Sequence, residues 1–414
     1  MGRLRTVSTM VALIVGGLGA VYAVCAPDVL LGTESAPAAV SAAVLAALFL
    51  SRRIGRLSTT LFAALGVGAL AVAVLGPDDA PVSLVGGLGS GLVLGALAAL
   101  AAPRRALIAI LGTSVVVGFV LARSVASVVP RRYADYLPAM PPTASAGAVL
   151  GALIVAVVAV ALAEHRERPA SSTLSTAVAL AISLTALVPV FVSNLTAAVG
   201  AAGITGPVPT SSSWILSTVL VTVLMVAAAV AVPSAGALIL AGTVLWLLLR
   251  TAALTFLTAS RGIEALDPRL AAVVVVSASF GAVAGVLARP GIGVPVAILC
   301  AAAAAVAAHL GGTGSWGAVV AVAATAGAVV GGCSSATDDH PAPTLVAAGL
   351  LIPLALSDMP SSPITADFGW TAYTPLTLQP DSITVADPTA GTLVAMISLA
   401  LCAVGAELVR RRRA

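Results

Sequence analysis

The chain has 414 residues, of which 60% are hydrophobic and only 9% are charged, with a formal net charge of +4. A soluble chain of this length could not bury so many apolar side chains, because the surface of a folded protein decreases slowly relative to its volume. The composition therefore excludes a soluble globular protein and predicts an integral membrane protein. The basic residues are all arginines, and most stand at the ends of apolar runs, which argues against a nucleic-acid-binding surface.

The apolar residues form fourteen runs, which we interpret as membrane-spanning helices because about 20 helical residues cross roughly 30 Å of hydrocarbon. The sequence thus predicts an all-α polytopic bundle of about fourteen transmembrane helices. The expected spans are 8–26, 36–51, 57–76, 82–102, 105–126, 143–163, 174–195, 214–232, 235–257, 270–288, 291–310, 315–333, 342–357 and 388–408.

The arginines are distributed unevenly between the two sides of the membrane that these spans define. With the N-terminus in the cytoplasm, fourteen arginines fall in inner segments and four in outer loops, at positions 131, 132, 261 and 269. Because cytoplasmic loops are enriched in Lys and Arg, we expect both termini of this cell-membrane protein to be cytoplasmic. The longest polar segment, residues 357–387, then lies outside and is too short for a catalytic domain.

Few ionisable side chains fall within the apolar runs. A charge in hydrocarbon costs about 2.5 kcal/mol or more, so these residues are the first candidates for a function. Arg250 lies in the ninth run, where it would contact an anion or head group in a central cavity or extend to the membrane interface. Arg123 and His309 lie near the ends of their runs, which favours interfacial positions. Asp28, beyond the first run, is the nearest substitute for a buried carboxylate that could couple transport to protons.

The sequence lacks the common patterns of metal binding, ATP hydrolysis and nucleophilic catalysis. The four cysteines show no CxxC or CxxH spacing, and no Walker or HExxH motif and no Ser-His-Asp triad occurs. We therefore expect no metal, no cofactor and no catalytic residue. The one enzymatic alternative is the outer acidic pair Asp78-Asp79, since membrane glycosyltransferases that use lipid-linked sugars carry such acids. The same pair also fits an ordinary turn.

Two segments resemble the major facilitator superfamily of membrane transporters. Residues 51–57, Ser-Arg-Arg-Ile-Gly-Arg-Leu, are similar to the cytoplasmic gating-loop motif of that family, with matches at Arg53, Gly55 and Arg56. Arg52 stands where the family has Asp. In the fourth run, Gly87, Gly89 and Gly91 resemble the glycine-rich part of the family's fourth-span motif, whereas Ser83 replaces the Arg that is linked to proton coupling.

The resemblance implies a fourteen-span transporter of the drug-exporter type. Residues 1–168 would form an N-terminal half, residues 169–232 two extra central helices, and residues 233–414 a C-terminal half. Because buried charge is scarce, we expect the cargo to be an amphipathic or apolar small molecule or a lipid. The other alternative is a non-catalytic membrane subunit of an envelope-assembly complex, which would bind a membrane-protein partner. Membrane lipid is an expected partner in each case, and nucleic acid is not.

Overall fold

A computed structural model describes residues 2–25, 35–52, 55–75, 81–125, 144–164, 172–185, 210–251, 268–288, 316–337, 341–357, 364–367, 382–385 and 388–413, with four isolated positions between 295 and 302. These residues contain fourteen helical segments. They are α1 (Gly2–Cys25), α2 (Ser35–Arg52), α3 (Arg56–Leu75), α4 (Pro81–Ala101), α5 (Arg105–Val125), α6 (Ala144–Leu162), α7 (Thr173–Thr185), α8 (Thr210–Ala231), α9 (Pro233–Thr251), α10 (Pro268–Leu287), α11 (Trp316–Ser335), α12 (Pro343–Leu350), α13 (Ile352–Ala355) and α14 (Pro388–Arg413).

The all-α membrane bundle predicted from the sequence is confirmed. Seven of the described helices have at least 18 residues and are apolar enough to cross a bilayer, and five shorter apolar helices accompany them. The expected span 291–310 lies outside the described residues apart from isolated positions, and α7 covers the first part of its expected span. Two short strands, β1 (Ile364–Asp367) and β2 (Ser382–Val385), pair antiparallel in the long polar segment, an addition that the sequence did not indicate.

Large apolar side chains cover the outside of the bundle. Leu57, Leu61 and Leu65 on α3 are each more than half exposed, and Phe280 and Leu287 on α10 are 75% and 80% exposed. Such a surface would associate in water but suits the hydrocarbon of a bilayer. The chain is therefore a multi-pass membrane protein.

The helices pack in an order that occurs twice along the chain. In the first helix group, α1–α6, α1 contacts α4, α5 and α6, and α2 packs along α4. In the second helix group, α9–α14, α9 contacts α11, the α12–α13 segment and α14, and α10 packs along α11. The two groups meet reciprocally, since α5 contacts α10 and α11 while α12 contacts α2 and α4. Such an exchange is expected where two similar groups are related by a twofold axis.

Close contacts inside each group depend on glycines. A Cβ at Gly95 of α4 would lie 2.5 Å from the carbonyl oxygen of Ala43 on α2. In the second group, Gly281 and Gly285 of α10 lie against the backbone of α11 in the same way. Small residues spaced four apart allow helix backbones to approach closely in membranes, and the two glycines of α10 have this spacing.

The thirteenth expected span is interrupted in the middle. α12 ends at Leu350, and α13 begins two residues later with Pro353 in its first turn. Because proline has no backbone N–H, Pro353 cannot donate a hydrogen bond to the carbonyl of Gly349, four residues earlier. That carbonyl lies against Gly242 of α9, and every residue from 343 to 356 is buried. The missing side chain at Gly242 thus lets α9 cover the interruption.

Candidate functional site

Arg250, the first candidate from the sequence, lies at the end of α9 between two tryptophans. Its guanidinium carbon is 5.5 Å from the ring centroid of Trp246, one turn earlier on α9, and 5.8 Å from that of Trp214 on α8. Both indoles are almost fully buried, with exposures of 3% and 4%. An arginine at this distance from an indole face gains about 0.5–2 kcal/mol. The positive charge of Arg250 is therefore held over two aromatic faces at the C-terminal end of α9.

A hydrogen bond fixes Trp246 in this arrangement. Its indole Nε1–H donates to the carbonyl oxygen of Leu356, directly after α13, at 3.0 Å. The polar edge of the indole is satisfied in this way, and its face remains for the guanidinium. The bond also joins the end of α9 to the end of the interrupted span.

Several hydroxyl side chains are buried within the described helices. Thr218 and Thr222 on α8 donate to carbonyls one turn earlier, at 2.7 and 2.8 Å, and Thr243 on α9 does the same at 2.8 Å. Ser398 on α14 and Ser90 on α4 are fully buried, and their hydroxyls have no hydrogen-bond partner among the described residues. The sequence analysis did not single out either serine, since single hydroxyls within apolar runs are common.

The gating-loop motif is described in part. Gly55 directly precedes α3, and its carbonyl oxygen accepts hydrogen bonds from Ser58 Oγ at 2.8 Å and from the Thr59 N–H at 3.3 Å. The carbonyl of Gly55 thus accepts hydrogen bonds from the first turn of α3, and Arg56, the first residue of that helix, is exposed. Arg53 lies outside the described residues.

The three glycines of the fourth-span motif all lie on α4 and are buried. A Cβ at Gly89 would lie 2.6 Å from the carbonyl oxygen of Gly66 on α3. Gly91 lies against the carbonyl of Ala39 on α2. Gly89 and Gly91 therefore face two different neighbours, and α4 approaches both closely.

Of the remaining candidates, Arg123 belongs to α5, whereas Asp28, His309 and the pair Asp78-Asp79 lie outside the described residues.

Ionic contacts gather at the opposite end of the bundle from Arg250, which we call the inner end. Arg104, between α4 and α5, pairs with Glu164 after α6 at 3.0 Å, and both side chains are 31% exposed. The backbone N–H of Glu164 donates to Thr9 Oγ1 on α1 at 3.2 Å. These contacts connect three elements of the first group.

The C-terminal end of α11 receives two arginines. Arg105, the first residue of α5, donates from Nη1 to the carbonyl oxygen of Ser335 at 3.3 Å. Arg413, at the end of α14, donates to the carbonyl oxygens of Ala336 and Pro233, the latter from Nε at 2.8 Å. The last carbonyls of a helix carry partial negative charge and lack partners within the helix, so cations are favourable there.

Comparison with known proteins identifies the fold. No protein-family model and no curated protein matches the sequence. Among solved structures, the chain is similar to the POT family transporter PepTSo, with a TM-score of 0.51 and 14% identity over 98% of both chains. The chain has a facilitator-like fold.

Two further structures align over nearly the whole chain. A structure of a proton-dependent oligopeptide transporter covers 98% of this chain and 99% of its own, with a TM-score of 0.46 and 14% identity. Tetrameric PepTSo2 covers 99% and 97%, with a TM-score of 0.40 and 17% identity.

Proposed function

We propose that the protein is a membrane transporter that moves an amphipathic or apolar small molecule, or a lipid, by alternating access. The observation that carries this proposal is the repeated packing order of the two helix groups, which meet reciprocally through α5 and α12. Two groups related in this way can rock against each other and expose a site between them to each side in turn. The likeness of the fold to a POT family transporter supports the proposal.

The same packing supports a division of the chain into an N-terminal half, residues 1–168, a pair of extra helices, residues 169–232, and a C-terminal half, residues 233–414. Arg104, Arg105 and Arg413 all lie at the inner end. Because arginine is enriched on the cytoplasmic side of membrane proteins, they favour a cytoplasmic position for that end. Labelling of a cysteine added after Ala414 in whole cells tests this orientation, and an accessible outer position would overturn it.

The buried residues favour a largely apolar cargo. The described interior of α4, α5 and α9 consists mainly of Ala, Val, Leu and Ile. Selecting an ion or a sugar requires several converging polar groups. Hydroxyls and the single guanidinium of Arg250 are better suited to an amphipathic molecule, whose anionic head would contact Arg250 while its apolar part lies among the helices.

A membrane subunit without transport activity is the second candidate. It is favoured by the replacement of two characteristic residues of the family, with Arg52 in the gating loop and Ser83 in the fourth span. The glycosyltransferase alternative depends on Asp78 and Asp79, which lie outside the described residues.

Flux into proteoliposomes separates the first two functions. The purified protein is reconstituted into vesicles, and movement of a fluorescent short-chain phospholipid with an anionic head and of an anionic amphipathic dye is followed against protein-free vesicles. We expect flux of at least one probe, and we expect Arg250→Gln to slow it about tenfold, in line with the loss of one charged contact. Arg269→Gln, an exposed position at the start of α10, is the matched control and should leave flux unchanged. Absence of flux with monodisperse protein would contradict the transporter, and a co-purifying membrane partner would then support the subunit.

A further inference from the structure

One face of α5 forms a line of contact between the two helix groups. Arg105, Ala109 and Gly112 share this face because they are spaced four and three residues apart. A Cβ at Gly112 would lie 2.5 Å from Cγ1 of Val330 on α11 and 3.0 Å from Cδ2 of Leu350 on α12. Ala109 is 5% exposed. The first group therefore contacts the second at Gly112, and Ala109 is buried on the same face of α5.

Arg105 lies at the inner end of this line. Its Nη1 donates to the carbonyl oxygen of Ser335, the last residue of α11. A charged donor at the negative end of a helix makes a stronger bond than a neutral pair does. The bond joins the start of α5 in the first group to the end of α11 in the second.

Two contacts of the neighbouring arginines lie within one group. Arg104 pairs with Glu164, and both belong to the first group. The bonds of Arg413 to Ala336 and Pro233 lie within the second group. Rocking of the two groups would leave these contacts intact, whereas the bond from Arg105 to Ser335 would have to break whenever the inner end opens.

We propose that the contact between Arg105 and the carbonyl of Ser335 is an inner latch. It stabilises the state in which the inner end is closed, and it is released when the two groups separate at that end. The inference rests on the proposed movement of the two groups, but it assigns to Arg105 a role that the transporter proposal does not include.

Cysteine accessibility tests the latch without any substrate. Ala109→Cys is introduced after the four native cysteines are replaced by alanine, and the protein is placed in nanodiscs, in which both membrane faces are open to reagent. A membrane-impermeant maleimide then labels position 109 when the inner end opens. We expect Arg105→Gln to raise the labelling rate about tenfold. This corresponds to about 1.4 kcal/mol, near the lower end of the range for one charge-assisted hydrogen bond.

The adjacent arginine provides the matched control. Arg104→Gln removes the same charge from the same loop but should leave the labelling rate of Ala109→Cys unchanged. A wild-type rate in Arg105→Gln, or an equal increase in both variants, would overturn the latch. If Arg105→Gln does not elute as a folded protein, Arg105→Lys decides. It keeps the charge, but its amine ends one bond short of the Nη1 position that reaches the Ser335 carbonyl at 3.3 Å, so a rise of about twofold is expected and no rise overturns the inference. Labelling and vesicle flux are independent readouts, so failure of one is distinguishable from failure of the other.

Discussion

Gly112 of α5 and Val330 of α11 are in contact across the boundary between the two helix groups. A Cβ at Gly112 would lie 2.5 Å from Cγ1 of Val330, closer than side-chain atoms approach without displacement. The glycine therefore creates the recess into which the valine fits. An alternating-access cycle must separate the two groups on one side of the membrane. Cross-linking the contact between Gly112 and Val330 therefore tests directly whether the two groups move.

A disulfide at this position should stop transport. In a chain without its native cysteines, Gly112→Cys and Val330→Cys place two sulfur-bearing side chains at a Cβ separation compatible with the usual value of about 3.5–4.5 Å. We expect oxidation to abolish probe flux in proteoliposomes and reduction to restore it, since the covalent bond prevents separation of the groups. The measurement is flux before and after addition of a reducing agent.

A second disulfide within one group serves as the control. A Cβ at Gly17 of α1 would lie 3.1 Å from Cβ of Ser114 on α5, and both helices belong to the first group. Oxidation of Gly17→Cys with Ser114→Cys should leave flux unchanged. Equal flux in the oxidised and reduced forms of the Gly112 and Val330 pair would contradict movement at this boundary.

The contact between α10 and α11 should not tolerate a methyl group. A Cβ at Gly281 would meet the carbonyl of Ala324 and lie 3.0 Å from the backbone nitrogen of Ala328. Backbone atoms cannot turn away as a side chain can, so we expect Gly281→Ala to cost about 1–3 kcal/mol and to lower the thermal midpoint in detergent. Gly151→Ala on α6 is the control, because nothing lies within 4 Å of the added Cβ, and its midpoint should stay the same or rise slightly. Equal losses in the two variants would contradict this packing.

The spans were predictable because length and apolarity are local properties of the chain, and a helix is the main way to satisfy the backbone in lipid. Which helices lie next to each other could not be predicted from the sequence. Gly112 offers no sequence signal that selects Val330, and Arg105 bonds to a backbone carbonyl that no pattern marks. Arg250 stood out as a charge in an apolar run. The position of Trp246 four residues earlier was an available sign of its aromatic partner, but Trp214 becomes a neighbour through the packing of α8 on α9.

The hydrogen bond of Trp246 should contribute measurably to stability. Trp246→Phe keeps an aromatic face near Arg250 but removes the Nε1–H that donates to the carbonyl of Leu356. Loss of a buried partner costs about 1–3 kcal/mol, so the thermal midpoint should fall. Trp214→Phe changes the other indole over the same guanidinium and leaves the bond to Leu356 in place. A midpoint that falls no further in Trp246→Phe than in Trp214→Phe would argue against a stabilising role for that bond.

Two arginines of the C-terminal helix should differ in their effect on stability, although both carry the same charge. Arg413 donates to the carbonyls of Pro233 and Ala336 and thereby connects α14 to the start of α9 and the end of α11. Hydrogen bonds from a charged donor contribute about 1.5–3 kcal/mol, and we expect Arg413→Gln to lower the thermal midpoint because α14 loses its contacts with two other elements.

Arg411 is 73% exposed and pairs with Glu407 at 2.9 Å on the same helix. Surface pairs of this kind contribute about 0–1 kcal/mol. Arg411→Gln should therefore leave the midpoint nearly unchanged, while matching Arg413→Gln in net charge. If the two variants unfold at the same temperature, the contacts of Arg413 contribute no more to stability than a surface ion pair does. A lower midpoint for Arg413→Gln would instead assign the last arginine a structural role that the charge distribution along the sequence does not reveal.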